Sequence, residues 1–596
     1  MSDCRLPVAD WRASRRKPDV FGLHMLHVGP TPRRSPTIRA VLLVLSFLVL
    51  ASPCSAQVAT PRDELLRLVP PDTGVCLVLS DIRGHWPKIR DAEWIKHLRE
   101  STLGKVLSAA PETAKLTEVE GVLKKHLDVD VGQLRDDILG DLIVFAYKPG
   151  PPGQSQDEQG LALVWARKPD LLAQIVERLN QAQLKSKELK EVVAVDFQGS
   201  RYYRRVERAQ THYYFLEGSV FVYSGQESVI RQVIERRRKK DGDSNLGKQL
   251  DRAGASTALA ALWVNPRAFD ADLKQKAKNS DTQKALVLKT FLSYWQALEG
   301  IVLAVNLGDS TEVRLTLQAR VADLPKAIKP LFTEAAVPSE LWSRFPPKSI
   351  LRIVNRINTA NLLDTVADLT PGNAKQDIAH TIRAALDLDL VKDVLPNIGP
   401  DWGLCIASGP AKSDFPHVLA ALAVRPGSGK IAVDRTLING IRLFADWAVL
   451  WYNLKNPEPI RLKKLDQNGI EIQYVANDKV FPSGLQPAFA LKDGYLLLAS
   501  SPEAIGQFQK STQPEFTRGE TPLVDLSLRE LAQFLKARRQ KVIGFLSSQN
   551  QITEETAGQF FDGLMTAFDL FDQLLLSERR QPGQVTWTLR LGNASK

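Results

Sequence analysis

LDVDV at 127–131 and LDLDL at 386–390 say the same thing at two places in a chain of 596 residues. In each, a helical pattern runs in, an aspartate stands where it can cap a new turn, and a short apolar segment runs out. The match extends in both directions. RLVPPDTGVCLV at 67–78 is answered by SRFPPKSILRIV at 343–354 with the proline pairs in register. LEGSVFVYSGQESVI at 216–230 is answered by LKDGYLLLASSPEAI at 491–505, and TEVRLTLQ at 311–318 by GQVTWTLR at 583–590. The matches keep their order at offsets of 259 to 276 residues, as a unit of about 260 residues written twice would.

Within the first copy, apolar runs of strand length stand at 75–79, 142–147 and 161–166. A helix follows at 169–184 with Leu172, Ile175, Val176 and Leu179 on its inner side, then strands near 192–197, 201–206, 211–217 and 220–224. A helix ending in the basic run 236–240, a strand at 258–264 and a hairpin of 301–307 with 311–320 close the copy. Strands at hairpin spacing mixed with helices, without strict alternation, predict an α+β fold: two tandem homologous lobes, each a largely antiparallel sheet with helices packed on one face. The lobes fall at 60–323 and 341–594, with 324–340, which carries Pro325, Pro330 and Pro338, as linker. Asp493-Gly494 marks a tight hairpin in the second copy. That copy also has a longer helix, near 431–453, with Phe444, Trp447 and Trp451 on one face.

The chain opens with a presequence. Arg33, Arg34 and Arg39 precede the apolar run 40–51 and then SPCSAQ, the pattern of an export signal too short to span a bilayer. Cleavage is expected between Ala56 and Gln57, so residues 1–56 are removed, with translation starting at Met1 or Met25. A lipoprotein reading through Cys54 meets Pro53 where a small residue is wanted. No later run reaches membrane-spanning length, so the mature chain should have no transmembrane segment and be periplasmic or associated with the cell envelope.

The formal charge of +11 suggests a polyanion partner until it is divided. Residues 1–56 hold eight Lys/Arg and three Asp/Glu, which leaves 70 against 64, or +6, in residues 57–596. That is ordinary for the length and implies no nucleic-acid binding. Past the signal the cysteines are Cys76 and Cys405, one per copy, in apolar runs at positions that do not correspond. Two buried free thiols fit them better than a bridge between lobes, and neither has a CxxC neighbour.

The opening PPDTG-to-strand motif, the LDVDV step and the closing hairpins resemble a domain-of-unknown-function family of exported, two-lobed bacterial proteins. The resemblance covers nearly all of 60–594. It implies export and the two-lobed α+β architecture, and it brings no assigned activity or catalytic residues. Lys348-Ser349-Ile350 replaces Asp72-Thr73-Gly74 in the second copy, so the triplet reads as turn chemistry.

Motifs of chemistry fall away on inspection. GSGK at 427–430 lacks the first glycine of a phosphate loop, where Val424 stands, and has Ile431 for the magnesium-binding hydroxyl. Asp128, Asp130, Asp136 and Asp137 suggest a calcium loop, but Gln133 occupies the glycine position and Leu139 the bidentate glutamate position. His85, His97, His126, His212, His380 and His417 form no HxxxH, and no GxSxG marks a nucleophile. An acidic helix near 553–570, with Phe560, Phe561, Leu564, Met565 and Phe568 on one side, reads as core packing. No cofactor or metal is expected.

The leading functional expectation is an exported non-enzymatic binding or scaffold protein of the cell envelope, its partner an unknown envelope component or protein. Alternatives are a carrier of an apolar ligand between sheet and helices, motivated by the Phe444, Trp447, Trp451 face, and a hydrolase whose site assembles only in space. One stretch is chemically unusual and unshared between the copies: RYYRRVERAQTHYYF at 201–215. Its Arg201, Arg204, Arg205 and Arg208 form a candidate patch for an anionic partner, with tyrosines packed on the core beneath arginine stems as the plainer alternative.

Overall fold

The computed structural model describes residues 60–593, excepting 101–103, 106–119, 122, 155–156, 240–244, 280–281, 308–309, 357, 359–373, 387–388, 411–412, 426–431, 513–515 and 518. The signal, its Ala56/Gln57 cleavage site, GSGK and most of the helical pattern that runs into LDVDV, at 111–127, lie outside the described residues.

Among the described residues, twenty strands follow in chain order: β1 Val75–Ser80, β2 Leu142–Lys148, β3 Gln159–Trp165, β4 Leu189–Phe197, β5 Ser200–Glu207, β6 Thr211–Glu217, β7 Val220–Ser224, β8 Ala260–Val264, β9 Leu298–Leu307 and β10 Ser310–Ala319. Then come β11 Ser349–Arg356, β12 Ile398–Ala407, β13 His417–Val424, β14 Arg461–Gln467, β15 Ile470–Ala476, β16 Ala488–Lys492, β17 Tyr495–Ala499, β18 Thr521–Ser527, β19 Phe571–Gln581 and β20 Gln584–Asn593. All pair antiparallel. From one edge, the first half runs β4-β5-β6-β7-β3-β2-β1-β8-β9-β10. From the other edge, the second half runs β14-β15-β16-β17-β13-β12-β11-β18-β19-β20, the same order with ten added to each number. Strands β10 and β20 then pair over nine residues, Ser310↔Gly592 to Gln318↔Gln584, and join everything into one α+β sheet.

Local chemistry explains the turns and caps. Asp130 accepts from the Gln133 amide at 2.7 Å in a capping box, and Asp389 accepts from Val391 and Lys392 amides at 3.0 Å. Each leads into a π-helical turn, Leu134–Ile138 and Leu390–Val394, and then into β2 or β12. Asp493 and Gly494 take φ of 52° and 79°, as a two-residue hairpin between β16 and β17 demands.

The helices needed below are α1 Pro61–Leu68, α2 Pro169–Lys185, α3 Glu227–Lys239, α4 Asn245–Arg252, α5 Val433–Lys455, α6 Leu528–Lys536, α7 Arg539–Asn550 and α8 Glu554–Phe568. They do not keep to one side of the sheet, contrary to the expectation from sequence. Leu163, Phe215 and Val222 pack with Leu66 of α1, Val233 of α3 and Leu250 of α4. Their strand neighbours Val164, Leu216 and Phe221 pack with Leu172 and Ile175 of α2. Adjacent residues of a strand point to opposite faces, so the first half is covered on both. The strands LALVW and VFVYS are apolar at successive positions, which is what two-sided burial requires.

The seam is polar as well as hydrogen-bonded. Thr316 Oγ1 donates to Thr586 Oγ1 at 2.9 Å. Arg590 donates from Nε to Glu312 at 2.6 Å, and from Nη1 and Nη2 to the two Glu520 oxygens at 2.5 and 2.9 Å. Residues 324–340 lie against this seam: Phe332 is buried with Ala319 and Val585, and its carbonyl accepts from the Gly583 amide at 2.8 Å.

Candidate functional site

On β5, side-chain alternation divides the arginine hairpin between two faces. Tyr202 points into the core under α3 and donates its hydroxyl hydrogen to Glu227. On the opposite face Arg205 is buried and donates to Asn180 at 2.9 Å, Gln183 at 2.6 Å and Glu207 at 3.1 Å. Asn180 in turn donates to the Tyr214 hydroxyl, whose pKa burial pushes up to about 12. Tyr203 stacks on Tyr214 with centroids 4.7 Å apart. Arg201 pairs with Asp196 at 2.9 Å and Arg204 with Glu191 at 3.1 Å, both in solvent, and Arg208 donates to the Lys187 carbonyl at 2.7 Å. The four arginines therefore do not converge: one sits in the interior, and each of the others has a partner within the chain.

A different group of cations does converge. A cavity of about 460 Å³ lies at the first half's proline step. Its walls are Leu66 and Arg67 of α1, Pro70 and Pro71, four residues of α3, and Asn245, Leu246 and Gln249 of α4; the buried ring of Trp263 from β8 forms its base. Among the described residues, Arg67, Arg236 and Lys239 bring three positive charges against the one carboxylate of Glu235. Arg236 is the telling residue. Read from sequence, the run 236–240 is a solvated helix end complementing the dipole. In the fold Arg237 does turn outward to Glu217, at 2.7 Å, but Arg236 turns inward and donates to the Val69 carbonyl at 3.1 Å. With no carboxylate on it among the described residues, the Arg236 guanidinium keeps charge and donors to spare. The Gln249 Oε1 atom is buried without a hydrogen-bond partner among the described residues. The cavity is within the usual size range for small-ligand sites, about 300–1,000 Å³.

Among the described residues, the corresponding corner of the second half is packed differently. After β17 it has only the short helix Pro502–Gly506 where α3 has thirteen residues. The corner is filled instead by Phe345 and Phe508, with ring centroids 6.0 Å apart, and by Tyr495, 5.5 Å from Phe508. Arg344 lies over both Tyr495 and Phe508.

Other candidates resolve into structural roles. Asp136 pairs with Arg135 and Asp137 with Lys168, and no metal-holding cluster occurs among the described residues. His85 Nδ1 lies 2.8 Å from the Asp81 carbonyl, and His212 stacks on Tyr223. Cys76 and Cys405 are both free and buried; burial pushes the Cys405 thiol up to about 11, and Cys76 higher still. Phe561 and Met565 of α8 pack against Ile543 of α7. Phe444, Trp447 and Trp451 line no interior space: all three face solvent on α5. No described helix is long and apolar enough to cross a membrane. No known protein-family model matches this chain, and no curated protein matches it significantly.

Proposed function

We propose that this is an exported binding protein of the cell envelope, not an enzyme. On this reading a duplicated unit gives two homologous lobes fused through β10 and β20, and the first lobe holds the ligand. The ligand presents a carboxylate or phosphate beside a small apolar part, either as a free molecule or as the end group of an envelope component. The observation that carries this is the concentration of Arg67, Arg236 and Lys239 over Trp263 in a cavity that the second half fills with aromatic rings. Guanidinium forks suit planar oxyanions, and the indole suits the apolar part. The repeated strand order and the shared LDVDV/LDLDL turns support duplication. The export signal and the resemblance to exported two-lobed proteins support the compartment.

Phenyl phosphate is the probe. It should bind the chain from Gln57 onward, quench Trp263 and raise the thermal midpoint, with phenol far weaker. Arg236→Gln with Lys239→Gln should weaken binding at least tenfold while the far-UV circular dichroism stays unchanged. Equal binding by the double variant, or no preference over phenol, would overturn the assignment.

A further inference from the structure

A second cavity, of about 730 Å³, lies at the opposite end of β8 from Trp263. Its walls come from the end of β1, the helix Ile82–Asp91, the turn between α4 and β8, and the β9–β10 hairpin. Alternation along β1 sets Ser80 on the side of Cys76 and Val78, and register sets Arg314 beside Ala304. The cavity therefore opens on the face that carries α1, α3 and α4.

Its lining combines balanced charge with unengaged hydrogen-bonding groups. Arg314 donates to Glu312 at 2.7 Å and to the Gly254 carbonyl at 3.1 Å, so those two charges answer each other. Asp81 and Lys88 balance in the same way, one charge against one. Ser80, Ser256, Thr257, Asn306 and Ser310 add four hydroxyls and an amide, and none of these side chains has a hydrogen-bond partner among the described residues. By contrast, Ser224 donates to the Gly160 carbonyl at 2.7 Å and Ser577 to Glu520 at 2.9 Å.

His85 supplies an acceptor of fixed orientation. Its Nδ1 lies 2.8 Å from the Asp81 carbonyl, which can only accept, so in the neutral ring Nδ1 carries the proton and Nε2 presents a lone pair. Nε2 has no hydrogen-bond partner among the described residues. Asp81, at a left-handed φ of 48°, turns the chain from β1 into the helix; its Oδ1 accepts from the Gly84 amide at 3.0 Å, which leaves Oδ2 to accept from outside. Leu307 is the one aliphatic side chain among the described lining residues, and none of them is aromatic. Such a wall gives a nucleobase nothing to stack on, a hydrocarbon tail nothing to lie against, and a phosphate no surplus of cations. It suits groups that donate and accept at once, which hydroxyls do.

We propose that this cavity binds a small neutral polyhydroxylated molecule, a sugar ring or sugar alcohol. Its hydroxyls donate to His85 Nε2 and Asp81 Oδ2 and accept from Lys88 Nζ and the Asn306 amide. The volume is within the range of about 300–1,000 Å³ usual for small-ligand sites. The assignment does not depend on the anion pocket, with which this cavity shares no lining residue.

Saturation-transfer NMR on residues 57–596, which contain every described element, is the test. The probes are glucose, galactose, sorbitol and maltotetraose, with cyclohexanol as the control that lacks a hydroxyl array. At least one polyol should receive transfer that saturates at millimolar concentration, and cyclohexanol should receive none, because a site built to hydrogen-bond hydroxyls rejects a ligand without them. Transfer to glucose but not to maltotetraose marks a free sugar; transfer confined to the terminal ring of maltotetraose marks a glycan end. His85→Phe/Asn306→Leu should weaken binding at least tenfold with unchanged circular dichroism. Ser256→Ala/Thr257→Val, at exposed positions that spare the fold, should weaken it several-fold. Arg236→Gln/Lys239→Gln should bind the polyol as the wild type does, which separates this site from the anion pocket. No transfer from folded wild-type protein to any polyol would mean that water alone satisfies the lining, and would overturn the proposal. So would transfer undiminished in both cavity variants, or equal transfer to cyclohexanol.

Discussion

Arg590→Met is the sharpest test of the seam. The Arg590 side chain is 21% exposed and binds two carboxylates that are more enclosed still, Glu312 at 19% and Glu520 at 10%. Burial works against the charged form of both glutamates. Hydrogen bonds and charge from Arg590, with Arg314 helping Glu312 and Ser577 and Arg579 helping Glu520, outweigh it and hold both below the ordinary range. Removing one partner of a fully buried pair costs about 3–5 kcal/mol, and partial exposure with the surviving arginines lowers that here to about 2–4 kcal/mol. The pH dependence carries the mechanism. In the wild type the depressed glutamates contribute stability that is present above the unfolded value of about 4.3 and is lost as pH falls through the folded values. In the variant, burial no longer meets a full complement of cations. The folded carboxyls then rise relative to the wild type, and protonation relieves the penalty as pH falls. The gap between the two proteins should therefore be widest at pH 7 and narrow towards pH 4. Urea unfolding followed by circular dichroism at three pH values measures it, and adding Glu520→Gln to the variant should recover part of the loss. A gap under about 0.5 kcal/mol at pH 7, or one that does not change with pH, would refute the argument, since an exposed pair behaves that way.

Arg205→Met, which leaves Asn180, Gln183 and Glu207 without their shared donor, should cost about 2–3 kcal/mol in urea unfolding. Arg201→Ser, which loses only a solvent-exposed pair with Asp196, should leave the unfolding midpoint unmoved. Gly403→Ala places a methyl 2.9 Å from both the Ile353 carbonyl and the Phe345 ring, and should lower stability by about 1–3 kcal/mol in the same assay. Asp130→Ala removes a capping box at the head of a π-helical turn and should cost about 1 kcal/mol, visible as faster amide exchange at Gln133.

Much of the strand inventory was legible because it rests on local chemistry. Proline pairs, the Asp493-Gly494 turn and runs such as LIVFAY state their structure within a few residues. The single sheet was not legible, because the β10–β20 ladder joins residues about 270 apart through backbone groups that any sequence supplies. The arginine hairpin was legible only in part for a related reason. Strand alternation already sets Arg204 and Arg205 on opposite faces, but the partners Asn180 and Gln183 that hold Arg205 come from a helix about twenty residues upstream. The pocket was hidden in the same way. Arg67, Arg236, Gln249 and Trp263 reach it from four separate elements, and the one local signal, the basic run ending α3, is also what any helix C-terminus favours.

The two halves share a backbone order and differ where a helix leaves the sheet. The ladders use main-chain groups, so strand order tolerates wide change in the side chains on either face. A helix that only covers a face is held by its apolar contacts and can lengthen, shorten or turn a second face to solvent at no cost to the ladder. The candidate anion site arises at such helices. Where the seventh strand hands over to a thirteen-residue helix, followed by α4, a charged cavity opens; where the seventeenth hands over to Pro502–Gly506, Phe508 closes the corner. Where the third strand hands over to α2, the apolar side is buried; where the thirteenth hands over to α5, six large apolar side chains remain in solvent. Shortening α5 by deleting 450–454 should therefore leave the β13–β17 ladder intact, since none of those residues contributes to it, whereas filling the first-half cavity with Gln249→Trp should abolish anion binding and leave the opposite half unchanged.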